Sequence, residues 1–264
     1  MKRNLYRLPV VFVAVVFVGI SLLLTVHPAA AVGSPWVKWR IDFTYPGKLN
    51  ALLVVQRGYT TQSGNHVVTD EVQELLTCQS VGNPVFQNGE ALLDGNSYFQ
   101  CAMPSVKGMA MQEWQMPIAD SCSSKRPYVI GRVAIEGNPA DPTPDNPIFY
   151  RDDIQFNIPL DVTAQEAKLD MTFDQASAES DLFSIAPAGH QFAAYFIRSS
   201  ATQFTPHFSV DNNSLASTPA TVNQRMFLST LESTIYLGHS PLSGDSFAGT
   251  MGPIRVDPVC TGTG

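Results

Sequence analysis

The sequence predicts a mainly β protein, an antiparallel β-sandwich with one or two short helices. Three observations carry that expectation. Apolar residues alternate with polar ones through most hydrophobic segments, the period of a half-buried strand. Such segments recur along the chain between Gly, Pro, Asn and Asp turn residues, as in two-layer all-β folds. The apolar fraction, 44% of 264 residues, is enough to fill a core and excludes wholesale disorder.

Residues 1–31 read as a targeting segment. Lys2, Arg3 and Arg7 form a positive start, and Leu8 to Val26 is a 19-residue stretch without charge. At ~1.5 Å per residue that stretch spans roughly 28 Å, close to a bilayer core. Ala29-Ala30-Ala31 supplies the small residues of a cleavage site after Ala31. Pro9 and Pro28 suit a cleaved signal peptide, and the alternative is an uncleaved N-terminal anchor. Either places residues 32–264 outside the cytoplasm, as a single β-sandwich domain. Without the leader the chain has 13 basic and 23 acidic side chains, a net charge of -10. That balance argues against nucleic acid as a partner, because such binding needs basic patches to displace counterions.

The strands follow in order. Trp36 to Phe43 alternates and breaks at Tyr45-Pro46-Gly47, and Ala51 to Val55 suits a strand buried on both faces. Arg126 to Ile135 is a strand with Gly131 marking a bulge. Ile148 to Ile158 alternates, and similar runs follow at Phe192–Arg198, Phe204–Val210, Arg225–Leu228 and Thr234–Leu237. Gly252–Val256 is the last, with Pro253 pointing to an edge or a strand start. The helical signals lie at Thr69–Leu76, with acids in the first turn, and at Thr163–Met171, where Glu166 has capping-box spacing. Residues 138–147 hold four prolines and read as a long loop within the one domain.

Cys78, Cys101, Cys122 and Cys260 are an even set in an exported chain, which predicts two disulfides. Of the three pairings, Cys78–Cys101 with Cys122–Cys260 is favoured, a local staple and a tie from the C-terminus to mid-chain. No CxxC or HxxxH pair supplies metal-ligand spacing.

Two serine motifs fail on context. Gly238-His-Ser-Pro-Leu242 resembles a nucleophile elbow, but Leu242 replaces the glycine that the strained turn needs. Gly244-Asp-Ser-Phe247 is similar to the opening block of GDSL-type hydrolases, at the wrong end of the chain. His66, His190, His207 and His239 stand singly and read as solvated or hydrogen-bonded residues. Asp141, Asp145, Asp152 and Asp153 fall within 13 residues, with Asn138 and Asn146 nearby. Calcium takes six to eight oxygen ligands in flexible geometry, so this loop is the candidate calcium site. Trp36, Trp114 and Tyr98 are the candidate ligand-binding aromatics, since aromatic faces stack on sugar rings. Trp36 and Trp39 are three apart on one strand and so face opposite sides, which makes one of them core.

Three segments carry a family resemblance. Gln87-Asn-Gly-Glu-Ala-Leu-Leu-Asp-Gly-Asn-Ser-Tyr-Phe99 resembles the opening strand of laminin G-like, concanavalin A-like jelly-roll modules. Ile235-Tyr-Leu-Gly-His-Ser-Pro241 and Asp245 to Val256 resemble their closing hairpin, in which two strands pair side by side. Phe208 to Ala216 resembles the hairpin that precedes them. The resemblance implies a jelly-roll-like sandwich and is consistent with calcium. The chain departs from the pattern in lacking the central W-x-x-V-A strand, in having Gly252-Pro253 where an acidic pair is usual, and in residues 32–86.

These readings converge on an exported, non-catalytic binding or adhesion module for carbohydrate or a cell-surface protein, with calcium or no cofactor. Two alternatives stand beside it. One is a membrane-anchored accessory subunit of a larger extracytoplasmic assembly. The other is a glycoside hydrolase using two carboxylates, which need no sequence motif.

Overall fold

Two antiparallel sheets enclose an apolar layer in the computed structural model of the chain. It describes residues 36–44, 48–60, 66–104, 114–115, 128–135, 144–152, 154–161, 163–173, 176–186, 188–198, 203–217, 220–221, 227–228 and 233–257. In chain order the strands are β1 (Trp36–Thr44), β2 (Lys48–Thr60), β3 (His66–Leu75), β4 (Thr77–Val81), β5 (Val85–Gln87), β6 (Glu90–Asp94), β7 (Tyr98–Met103), β8 (Trp114–Gln115), β9 (Tyr128–Ile135), β10 (Pro147–Arg151), β11 (Ile154–Asn157) and β12 (Leu160–Asp161). They continue as β13 (Glu166–Ala167), β14 (Asp170–Phe173), β15 (Ala176–Glu179), β16 (Phe183–Ser184), β17 (His190–Arg198), β18 (Gln203–Val210), β19 (Asn213–Leu215), β20 (Ala220–Thr221), β21 (Phe227–Leu228), β22 (Ser233–Leu237) and β23 (Ala248–Asp257).

Among the described residues the larger sheet has eleven strands, ordered β19-β18-β17-β9-β23-β1-β2-β3, with β20 beside β18 and with β5 reaching β23 through β6. The second sheet has seven, ordered β15-β14-β11-β10-β22-β7-β4. Strands β12-β13-β16 and the pair β21-β8 make two small sheets. The architecture is a jelly-roll-like antiparallel β-sandwich.

Alternation explains the layering, because successive side chains leave opposite faces of a strand. Trp39, Ile41 and Phe43 of β1 are buried, and Arg40 and Asp42 between them are exposed. Phe99, Cys101 and Met103 of β7, Ile235 and Leu237 of β22, and Phe156 of β11 turn inward from the second sheet. Rings meet between the sheets: Trp39 lies 6.1 Å from Phe149, Phe43 5.8 Å from Phe99, and Phe156 stacks on Phe192 at 4.7 Å. Such pairs add about 0.5–1.5 kcal/mol each beyond their buried area. Arg151, 1% exposed, places its guanidinium 5.3 Å from the Trp39 ring centroid and donates from Nε to Ser233 Oγ. Cys78 and Cys101 face each other across β4 and β7 and form the expected local disulfide. Cys122 and Cys260 lie outside the described residues.

Several expectations require correction. Thr69–Leu76 is not a helix, since its residues to Leu75 belong to β3 and pair with β2 from Leu52↔Leu75 to Thr60↔His66. Among the described residues its acids therefore sit on the last strand of the sheet, where charge is common, rather than in a first helical turn. Thr163–Met171 is not a helix either. Asp161 Oδ1 accepts from the amides of Thr163 and Ala164, Gln165 takes φ +53°, and Glu166 enters β13. An Asx turn has displaced the capping box.

Ile148–Ile158 is two strands of a hairpin, β10 and β11. The bulge expected at Gly131 lies in its neighbour, β23, between Met251 and Ile254. Gly131 serves a different purpose, because a Cβ there would stand 2.6 Å from the Phe192 ring. Pro253 is neither on an edge strand nor at a strand start. It sits at that bulge, where β23 passes from pairing with β6 to pairing with β1, so no ladder bond is forfeited. The two closing segments pair at their turn, through the bridge His239↔Ser246, and then part, for β22 belongs to the seven-stranded sheet and β23 to the other. The Phe208–Ala216 hairpin does form, as β18 and β19, with Asp211 and Asn212 both at positive φ in its turn. Residues 32–86, without a place in the family pattern, contribute β1–β3 to the larger sheet and β4 to the second.

Candidate functional site

The outer face of the seven-stranded sheet carries a continuous row of side chains capable of polar recognition. One row of cross-strand partners runs Gln79, Gln100, Tyr236, Tyr150, Gln155, Thr172, Ser177 and crosses all seven strands. Six steps of ~4.8 Å give it a length of roughly 29 Å. Gln100, Gln155 and Tyr236 take this side because each sits between buried neighbours, as Tyr236 does between Ile235 and Leu237. Thr172 and Ser177 hydroxyls hydrogen-bond at 3.2 Å.

Aromatic residues concentrate at one part of this face. Tyr98 and Tyr236 are half-buried with ring centroids 6.3 Å apart, and His239 stacks on Tyr98 at 4.2 Å with 15° between planes. Gly238, at φ +78°, makes the left-handed turn that follows β22 and leads into His239. His239 Nδ1 lies 3.0 Å from Ser246 Oγ, the side-chain counterpart of the backbone bridge between these two residues. Among the described residues no carboxylate contacts the other ring nitrogen, where the third group of a nucleophilic site would stand. Tyr150 is 4% exposed and meets Tyr236 edge-on at 6.0 Å. Burial, then the Asp152 carboxylate to which its hydroxyl is hydrogen-bonded, and Tyr236 push its phenol up.

A second feature lies further along the same face. Asp170 of β14 faces Asn157 and Glu179, and one of its carboxyl oxygens is buried without a hydrogen-bond partner. Burial chiefly, aided by the charges of Glu179 and Asp145, holds this carboxyl up at about 6 against the pull of Asn157 and Lys168. Lys168 also pairs with Glu179 at 3.2 Å. Asn146 is fully buried at φ +45°, and its Oδ1 too has no partner.

Of the expected calcium ligands, Asp145 and Asp152 are not drawn into one site. Asp141 and Asp153 lie outside the described residues. Asp145 and Asp152, both exposed, stand at opposite ends of β10, seven residues apart in sequence. At ~3.3 Å per residue that separation is roughly 23 Å, whereas calcium ligands lie at about 2.3–2.6 Å from the ion. One ion cannot hold both. Among the described residues no three His, Cys, Asp or Glu side chains gather to hold a metal.

The expected ligand-binding aromatics are also dispersed. Trp36 opens β1 in the larger sheet, Trp114 lies in the β8–β21 pair, and Tyr98 lies in the seven-stranded sheet. Of the three, Tyr98 stands on the aromatic face. Trp39 is the core member of the Trp36/Trp39 pair. His190 is hydrogen-bonded, to Asp211 at 2.6 Å and to the Ala186 carbonyl at 3.0 Å. Tyr236, His239, Gln100 and Gln155 were not singled out from sequence as binding residues. Tyr236 carried a signal, being the outward member of the alternating Ile235-Tyr236-Leu237. Its partnership with Tyr98 and Tyr150 depends on strand order, which alternation does not encode.

No protein-family model matches the sequence, and no curated protein sequence matches it. Among solved structures, the chain is similar to the carbohydrate-binding module CBM66 from Bacillus subtilis at 9% identity and a TM-score of 0.31, over 70% of this chain and 93% of that one. It is similar to domains LG4-5 of the mouse laminin alpha1 chain at 8% identity and a TM-score of 0.31, over 88% of this chain and 86% of that one.

Proposed function

We propose that this protein is an exported, non-catalytic module that binds neutral carbohydrate on the outer face of its seven-stranded sheet. The supporting observation is the row from Gln79 to Ser177, which combines amides and hydroxyls with the half-buried ring of Tyr236, beside Tyr98. Ring faces stack on the apolar side of a sugar, and amides and hydroxyls match its hydroxyl groups in both donor and acceptor roles. Anionic glycans are disfavoured, because Asp152, Asp170 and Glu179 adjoin the row and the leaderless chain carries a net charge of -10. The leader at residues 1–31 and the Cys78–Cys101 disulfide support export. In this reading residues 32–264 act as one sandwich domain.

A glycan array, followed by hydrolysis assays on each hit, tests the proposal. Binding of a neutral polysaccharide without release of reducing ends is the expected result. Turnover of the bound glycan would transfer the face to carboxylate-dependent hydrolysis, and failure to retain any neutral glycan would remove the proposal.

A further inference from the structure

The two half-buried tyrosines of the aromatic face are not coplanar. Tyr98 and Tyr236 have ring centroids 6.3 Å apart and 47° between their planes. Tyr98 lies two positions before Gln100, the cross-strand partner of Tyr236, so the two rings leave the same side of the sheet as diagonal neighbours.

His239 holds Tyr98 at that angle. Its imidazole stacks on Tyr98 at 4.2 Å, with 15° between planes, and meets Tyr236 edge-on at 5.8 Å and 61°. The imidazole is itself tied down, for Nδ1 lies 3.0 Å from Ser246 Oγ. Backbone bonds brace the intervening turn: the Phe247 amide donates to the Gly238 carbonyl at 2.9 Å, Gly244 to Ser240 at 2.8 Å and Ser240 to Asp245 at 3.0 Å. Tyr150 meets Tyr236 edge-on at 6.0 Å from the other side. Neither tyrosine can turn into the plane of the other without giving up a ring contact. With the imidazole over one face, Tyr98 keeps a single face for a ligand.

The angle restricts what can lie across both rings. A sugar stacks with its apolar side parallel to a ring. The face of a crystalline polysaccharide presents its units in one plane, so it lies flat on Tyr98 or on Tyr236 and not on both. A single chain rotates about its glycosidic bonds and offers successive units inclined to one another.

We infer that the aromatic face selects single, twisted neutral glycan chains over flat crystalline polysaccharide, and that His239 is the positioning residue that sets the angle between the two rings. This selectivity rests on the carbohydrate site proposed above and specifies the physical form of its ligand.

Depletion binding of the full chain to matched forms of three neutral polymers tests it: swollen and microcrystalline cellulose, colloidal and crystalline chitin, gelatinised and granular starch. Affinity is compared rather than capacity, because crystals expose less surface. At least one disordered form should bind more tightly than its crystalline counterpart by on the order of tenfold or more. His239→Ala should weaken binding to that disordered form by on the order of tenfold and narrow its advantage over the crystal, since the Tyr98 ring is no longer held in place. His239→Phe, which keeps a flat ring on Tyr98, should restore most of both. Equal or tighter binding to the crystal, no binding to any disordered form, indifference to His239→Ala, or a Phe variant as weak as the Ala variant would each overturn the inference. If a glycan array retains neutral glycans while the crystalline form binds as tightly, the selectivity fails and the carbohydrate site stands; if the array retains none, the site itself fails.

Discussion

Asp170 supplies the most quantitative test of the structure. Its carboxyl sits among Asn157, Glu179 and Asp145 with one oxygen buried and unpartnered, and burial is the main reason that it titrates near 6 rather than 3.8. The charged form is thus costlier in the folded state than in the unfolded chain. A raised carboxyl contributes its full stability below the unfolded value and loses it as pH rises through the folded value. The window is therefore about pH 4 to 6. At 1.36 kcal/mol per pH unit, the loss is at most about 3 kcal/mol. Asp170→Asn removes the titration and keeps an acceptor for the Asn157 side chain. Urea unfolding across this range should show Asp170→Asn more stable than the unaltered chain by up to about 3 kcal/mol near pH 8, with the gap closing near pH 4. Parallel stability profiles, or a variant less stable near pH 8, would refute the assignment of a buried, strained charge.

Other substitutions probe separate parts of the fold. Gly131→Ala drives a methyl into the Phe192 ring, which is fixed by its stack on Phe156, and should cost about 1–3 kcal/mol in chemical denaturation. Replacing Cys78 and Cys101 together with Ser releases a cross-link spanning 23 residues and should lower stability by about 3 kcal/mol. An unchanged denaturation midpoint in that double variant would mean that the disulfide does not constrain the unfolded chain. Arg151→Lys keeps the charge and loses the planar group near the Trp39 ring, so thermal unfolding should register a loss on the order of 1–2 kcal/mol.

The parts of this fold that were legible in sequence are those written in local alternation. Trp39 as core, the Phe208–Ala216 hairpin and the strands at Phe192–Arg198 and Thr234–Leu237 follow from period-two patterns and turn chemistry. The Cys78–Cys101 link was accessible for a similar reason, because β4 and β7 lie close in sequence. Thr69–Leu76 misled because acids after a threonine look alike on an edge strand and at a helix start. Only the pairing with β2 separates the two. Asp145 and Asp152 illustrate a different limit. Proximity in sequence became distance in space once β10 ran extended between Asp145 and Asp152. The aromatic face was illegible for the converse reason: Tyr98 and Tyr236 are 138 positions apart and meet because β7 and β22 are sheet neighbours.

Polysaccharide-depletion binding with three variants tests whether the aromatic face holds carbohydrate. Tyr98→Ala and Tyr236→Ala remove rings from the proposed face, and Tyr195→Ala removes a ring stacked on His207 on the other sheet. Each of the first two should weaken binding of a neutral glycan by on the order of tenfold to a hundredfold. Tyr195→Ala should bind like the unaltered chain. Full retention of binding in both Tyr98→Ala and Tyr236→Ala, or its loss in Tyr195→Ala alone, would contradict it.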